Sequence, residues 1–174
     1  MKKTVLYLAE AAVIAALYAA LTYVMGEFSS MAIQVRLSEA MCVLPAFFSS
    51  SVPGLFVGCL VANLLNGSVI DIIFGSLTTL VAAVLGRIIA KKIGKLQFIL
   101  VPLPAVVLNA LVIPLVLIYG YGITEFMGAT SFLSLYGLLA LSIGIGEFIS
   151  CYVFGIPLYF AVKKVLGSIR KIEK

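Results

Sequence analysis

An all-α, polytopic membrane protein is the fold class this sequence predicts, on three observations. Hydrophobic residues make up 63% of the 174 positions and charged residues only 11%, against about 25% charged in an ordinary soluble domain. The mean hydropathy of +1.23 means more apolar surface than one water-soluble core of this size can hide. Several apolar runs also reach the ~20 residues that a helix needs to cross a ~30 Å hydrocarbon layer. Lipid offers the backbone no hydrogen-bond partners, so a span is a helix or a closed barrel, and runs this long select helices.

The elements follow in order. Thr4 to Met25 is the first long apolar run. Val69 to Ala90, Gln97 to Tyr119 and Phe132 to Val162 are three more, the last long enough to tilt or to project from the membrane. Between the first two lies Leu37 to Leu65, apolar but interrupted by Ser49, Ser50, Ser51, Val52, Pro53 and Gly54. A serine run followed by Pro and Gly reads as a turn with Pro near the start of a new helix. The halves on either side are short, so hydropathy alone allows one span or two.

Charge distinguishes them. The formal net charge is +5, from 12 Lys+Arg and 7 Asp+Glu. With two helices in the interrupted stretch, Lys2 and Lys3, the cluster Arg87, Lys91, Lys92 and Lys95, and the tail Lys163, Lys164, Arg170, Lys171 and Lys174 all share one face. Basic residues collect on cytoplasmic ends, so the expectation is six transmembrane helices in a single domain over 1–174, with both termini cytoplasmic. The N-terminal run contains Glu10 and lacks a small-residue cleavage site, so it reads as a retained helix and not as a signal peptide. The basic tail reads as a headgroup-facing end, not a nucleic-acid site.

Stripes of small residues at four-residue spacing mark close helix contacts. They comprise Gly54, Gly58 and Ala62; Gly75, Thr79 and Ala83; and Ser142, Gly146 and Ser150. The first helix carries two adjacent stripes, Ala11, Ala15 and Ala19 beside Ala12, Ala16 and Ala20. That face is broader than one partner helix requires, and it is the expected docking surface for another subunit.

Ionisable and amide groups inside a span are costly, so they are the first places to look for function. Glu10 lies two turns in from the basic end, where it is expected to snorkel or pair with Lys2 or Lys3. The others fall in the outer half or near midplane: Gln34, Arg36 and Glu39 at the start of the second helix, Asn63 at the end of the third, Asp71 opening the fourth, Asn109 in the fifth and Glu147 in the sixth. Arg36 is three positions before Glu39, a spacing that suits either an internal ion pair or a ligand contact. Asp71 suits a helix N-terminus. Asn109 lies between Pro104 and Pro114 and either satisfies freed backbone groups or faces a ligand. Glu147 has no basic neighbour on its helix and is flanked by Gly144, Gly146 and Ser150. Together these groups suggest an outward-facing cavity lined by Tyr119, Tyr121, Tyr136 and Tyr152, suited to a small, flat, NH-rich or partly cationic molecule.

Other classes are disfavoured. There is no histidine, which removes Ser-His and Cys-His catalysis and His-ligated metals. Cys42, Cys59 and Cys151 form no CxxC pair and read as buried thiols. No metal, cofactor or enzyme activity is expected. Gly94-Lys95 lacks the rest of a P-loop, so the chain cannot itself use ATP. What remains is a substrate-capture subunit or, alternatively, a self-sufficient ion-coupled transporter.

The string Gln34-Val35-Arg36-Leu37-Ser38-Glu39-Ala40 with Val43-Leu44-Pro45 resembles the QueT family, the substrate-binding S components of energy-coupling factor (ECF) transporters for queuosine precursors. The resemblance continues through Val52-Pro53-Gly54-Leu55, Asp71-Ile72-Ile73-Phe74-Gly75-Ser76-Leu77, Asn109, Gly146-Glu147 and Pro157-Leu158. It implies a six-helix protein of the bacterial cell membrane, partnered by a transmembrane coupling protein and two cytoplasmic ATPases. It also implies docking through an AxxxA motif, matched here by Ala11/Ala15 or Ala12/Ala16, and delivery by toppling in the membrane. The implied ligand is a 7-deazaguanine: the aminomethyl or cyano precursor, or queuine. For such a ligand Glu147 is expected to accept from N1–H and the 2-amino group, and Asn109 or Gln34 to donate to O6. Glu39 or Asp71 would face an aminomethyl group. An S component for another vitamin or nucleobase is the alternative within the same fold.

Overall fold

The computed structural model describes residues 2–24, 35–65 and 69–172, with side chains through 168. Gln34, a candidate site residue, lies outside them. The described chain forms six helical rods: α1 (Lys2–Val24), α2 (Leu37–Ala46), α3 (Ser51–Leu65), α4 (Val69–Lys92), α5 (Gln97–Gly120) and α6 (132–172). No strand occurs among the described residues; a lone bridge joins Phe126 and Ala129. Four rods, α1, α4, α5 and α6, are long and apolar enough to cross a membrane.

The interrupted stretch is two elements, not one. The chain turns at 47–50, where the Ser51 hydroxyl donates to the Phe48 carbonyl (2.7 Å) and Pro53 falls in the first turn of α3. The two elements run in opposite directions beside α1. Ser38 and Glu39 of α2 sit at Thr22 and Tyr18 of α1, whereas Ser49 and Ser50 sit at Tyr7 and Glu10. Then Gly54 lies at Ala11 and Gly58 at Ala15, so α3 runs parallel to α1. Glu10 accepts from the Ser50 hydroxyl (2.6 Å); its partner is this turn, not the expected Lys2 or Lys3. At 15 residues α3 is about 22 Å long, and the 10-residue α2 about 20 Å.

α2 is wound as a 3₁₀-helix. With three residues per turn, Arg36, Glu39, Cys42 and Pro45 fall in one line. Every residue from Ser38 to Pro45 is buried, as expected of a helix that is apolar all round. One side, Met41 and Leu44, packs with Ile14, Tyr18, Leu55 and Cys59; another, Cys42 and Val43, packs with Ala82, Ala105, Cys151 and Tyr159. The remaining rods surround α2.

Close packing explains the α1 stripes. A Cβ at Gly58 would lie 2.7 Å from Tyr18 Cβ and 2.9 Å from the Ala15 carbonyl, and one at Gly54 would lie 2.9 Å from the Ala11 carbonyl. Only glycine permits that approach. Ala15 and Ala19 are therefore buried and Ala11 half-buried, while Ala12, Ala16 and Ala20 stay exposed. Of the alanines expected on a docking face, Ala11, Ala15 and Ala19 are instead spent inside the bundle.

One end of the bundle gathers the basic segments. Arg87 donates to the Pro45 carbonyl (2.8 Å), and Phe47, Gly94, Gln97, Tyr159 and Lys163 surround a common recess. The start of α1 meets the same 47–50 turn. α5 and α6 run antiparallel above this end: Tyr152 donates to the Ile99 carbonyl (2.8 Å) near it and Tyr136 to the Leu111 carbonyl (3.1 Å) farther out.

Candidate functional site

Three rods bring their ionisable and amide groups together. α2 supplies Glu39, α5 supplies Asn109 and α6 supplies Glu147, each 4–6% exposed. α1 adds Tyr18, whose hydroxyl donates to Glu39 Oε1. The Cys151 thiol reaches both the Glu39 carbonyl (3.6 Å) and Glu147 Oε2 (3.8 Å), and the Asn109 amide bonds the Glu147 carboxyl. Arg36 interacts electrostatically with Glu39 and Glu147.

Local backbone geometry sets these positions. The Glu39 N–H donates to the Arg36 carbonyl (3.0 Å), which places both on one edge of the 3₁₀ turn. The Arg36 N–H donates to Ser150 Oγ (3.1 Å), whose own hydroxyl donates to the Gly146 carbonyl (2.8 Å). On the other side Thr22 donates to Ser38 Oγ (2.8 Å). α6 changes to a π-helix over Ile149–Phe154, two residues past Glu147. Such π segments often mark functional sites, and this one carries Ser150 and Cys151 against α2.

The space these residues enclose is small. Tyr18, Glu39, Cys42, Thr79 and Asn109 border a cavity of about 10 Å³, room for a single water molecule. The outward-facing cavity expected from sequence is thus reduced to this small space beside Glu39 and Asn109. Its tyrosine is Tyr18; the four expected ones lie elsewhere. Tyr119 is 74% exposed. Tyr121 and Tyr136 bond the α4 start and Leu111, and Tyr152 lies tilted against Phe148 (centroids 4.8 Å) with its hydroxyl on Ile99 at the basic end.

A second polar group forms at the opposite end. Asn63 donates to the Asp71 carbonyl (2.8 Å), and the Tyr121 hydroxyl donates to Asp71 Oδ2 (2.7 Å). Asp71 occupies the first turn of α4, where a carboxylate stabilises the helix dipole. The structure therefore unites Glu39, Asn109 and Glu147, with Arg36 beside them, and sets Asp71 and Tyr152 apart from that group; Asn63 lies between the two, its amide also donating to Cys59 Sγ (3.4 Å), which accepts from the Thr79 hydroxyl (3.4 Å).

Sequence reasoning missed Tyr18, Thr79 and Ser76. Tyr18 follows Ala11 by seven residues and Ala15 by three, so its place on the inward stripe was readable. Thr79 borders the cavity from α4. Ser76, one turn farther out on that helix, is fully buried and its hydroxyl has no hydrogen-bond partner among the described residues. Nothing in the sequence separates it from the other small residues of α4.

No group of His, Cys, Asp or Glu that could hold a metal ion occurs among the described residues. No curated protein and no solved structure matches the chain. The QueT transporter family matches residues 8–164, nearly the whole length. The protein is therefore a multi-pass membrane protein, a transporter and not an enzyme, and it belongs to the QueT transporter family.

Proposed function

We propose that this chain is the substrate-binding S component of an ECF importer and that it captures a 7-deazaguanine precursor of queuosine. The observation that carries the reading is the convergence of Glu39, Asn109 and Glu147 from three rods onto one buried point. A guanine-like edge presents N1–H and a 2-amino group side by side. A carboxylate accepts both as a fork, the counterpart of an arginine on a carboxylate. Glu147 takes that role, Asn109 donates to O6, and the Tyr18 ring offers an aromatic face.

Ligand pockets usually measure about 300–1,000 Å³, so capture requires the cluster to open. The donors now holding the two carboxylates are exchangeable for that purpose: a tyrosine hydroxyl on Glu39, and the Asn109 amide with a distant thiol on Glu147. α2, whose 3₁₀ winding is long for its kind, is the element to shift.

In this reading all six rods cross the bacterial cell membrane, with the basic end and both termini cytoplasmic. The support is that eleven of the twelve Lys and Arg fall in the segments meeting at that end. A transmembrane coupling protein docks on the exposed Ala12, Ala16 and Ala20 face, and two cytoplasmic ATPases supply the energy for toppling. No nucleic acid takes part.

The test is purification from membranes, mass spectrometry of any retained small molecule, and calorimetric titration with aminomethyl-7-deazaguanine. Saturable binding is expected, with riboflavin and adenine giving none. Binding of another vitamin without any 7-deazaguanine would overturn the ligand. Uptake by the chain alone into liposomes, without ATP, would overturn the S-component assignment.

A further inference from the structure

The basic end of the bundle holds a recess whose lining shares no residue with the inner cluster. It measures about 390 Å³, within the range of ordinary ligand pockets, about 300–1,000 Å³. Phe47 from the 47–50 turn, Gly94 from the α4–α5 connection, Gln97 from α5, and Tyr159, Lys163 and Gly167 from α6 line it. One wall is aromatic and fixed. The Tyr159 ring is buried against Phe47 (4.7 Å between centroids) and Phe98 (6.1 Å), and its hydroxyl donates to Gln97 Oε1 (3.3 Å). Gln97 Nε2 in turn donates to the Ala90 carbonyl (2.8 Å). Lys163 supplies the charge, its Nζ 6.0 Å from the Tyr159 ring centroid, at the edge of cation–π range. The two glycines keep the space open, since a Cβ at either meets no atom within 4 Å.

Charge and depth identify the occupant. The walling segments 45–48, 87–98 and 159–168 carry six Lys and Arg and no Asp or Glu. Glu10, an acid placed at this end, accepts from Ser50 and borders a separate recess with Leu6 and Val13; Glu173 lies outside the described residues. Positive charge gathered without acids calls for an anion. At 24 residues α4 is about 36 Å long, enough to cross a ~30 Å hydrocarbon layer, so the connection after Lys92 lies at headgroup level. Apolar surface adjoins the recess: Phe160, in ring contact with Phe98 and Tyr159 (5.6 and 5.4 Å), is exposed, and so is Ile99. We propose that this recess binds an anionic phospholipid of the leaflet at the basic end. Lys163 meets its phosphate, and the Phe47–Tyr159 wall meets its glycerol and acyl carbons. Basic pockets between helices at this level suit anionic headgroups, and a lining that joins a cation to aromatic rings suits an amphipathic ligand. The site is independent of the queuosine-precursor reading, because it needs only that the chain spans a membrane.

Native mass spectrometry of the full-length protein in detergent, titrated with phosphatidylglycerol and with phosphatidylcholine of the same chains, tests this. Phosphatidylglycerol should bind about fivefold more tightly or better, the effect of a cation beside an anionic headgroup. Lys163→Gln should remove most of that preference. Lys164→Gln makes the same charge change one position round the helix, outside the lining, and should alter it by less than about twofold. Gly167→Leu fills the recess without changing charge, in a helix that favours Leu over Gly, and should weaken phosphatidylglycerol as much as Lys163→Gln does. Excess inorganic phosphate should not displace the lipid. Equal binding of the two lipids, an equal loss in Lys163→Gln and Lys164→Gln, or displacement by phosphate would overturn the lipid site and leave the functional reading standing. The comparison of lipids in the unaltered protein decides the matter even if a variant fails to fold.

Discussion

The Glu39–Asn109–Glu147 cluster and the Asn63–Asp71–Tyr121 cluster are built from the same chemistry, carboxylate, amide and phenol. They differ in depth and in how well their acceptors are met. Asp71 is half-exposed at a helix start, with a phenol 2.7 Å from its carboxylate and an amide 2.8 Å from its carbonyl. Glu147 is buried, and its thiol partner stands 3.8 Å away. A carboxylate has about four acceptor positions, so Glu147 retains capacity for ligand donors. The rim group holds the ends of α3, α4 and α5 together, and the inner group is the one we propose binds. Intramembrane polarity alone does not mark a site; buried polarity with acceptors left over does.

That contrast predicts an order of effects. Glu147→Gln replaces an acceptor with an amide that presents a donor to the ligand's own donors. Binding of aminomethyl-7-deazaguanine should fall by about 2–3 kcal/mol, near 100-fold, with the thermal unfolding midpoint held within a few degrees. Gly58→Val strikes the scaffold beneath Tyr18, because its Cβ meets Tyr18 and the Ala15 carbonyl at under 3 Å. It should cost about 1–3 kcal/mol of stability, read as a lower unfolding midpoint in detergent, whereas Ala16→Val on the exposed face should leave the midpoint unchanged. Asn109→Ala should weaken binding by about 1–2 kcal/mol, measured by the same titration. Asp71→Asn keeps an acceptor for Tyr121 and should change affinity by less than about 0.5 kcal/mol, as for a substitution away from buried networks.

Much of the scaffold was legible because lipid imposes simple rules. The four long runs match α1, α4, α5 and α6 to within a few residues, apart from the C-terminal extension of α6. The turn at Ser49–Ser51 was visible from Ser, Pro and Gly. The positive charges read as a single face, and the structure places Arg87 and Lys163 of that set at one end of the bundle. The site was legible only in part. Glu39, Asn109 and Glu147 stood out because ionisable and amide groups are rare in spans. Which of the polar residues meet was not readable, since that depends on the 3₁₀ winding of α2 and the π turn after Glu147. Neither has a sequence signature, as both arise from tertiary packing. The same holds for the two alanine stripes: glycines on α3, a different helix, decide which one turns inward.

The central claim, that the inner cluster binds the ligand and the rim does not, is tested most directly by one calorimetric comparison. The unaltered protein, Glu147→Gln and Asp71→Asn are titrated side by side with aminomethyl-7-deazaguanine. The account predicts a near-wild-type affinity for Asp71→Asn and a loss of about 100-fold for Glu147→Gln. Unchanged binding by Glu147→Gln, or a larger loss in Asp71→Asn, would contradict it.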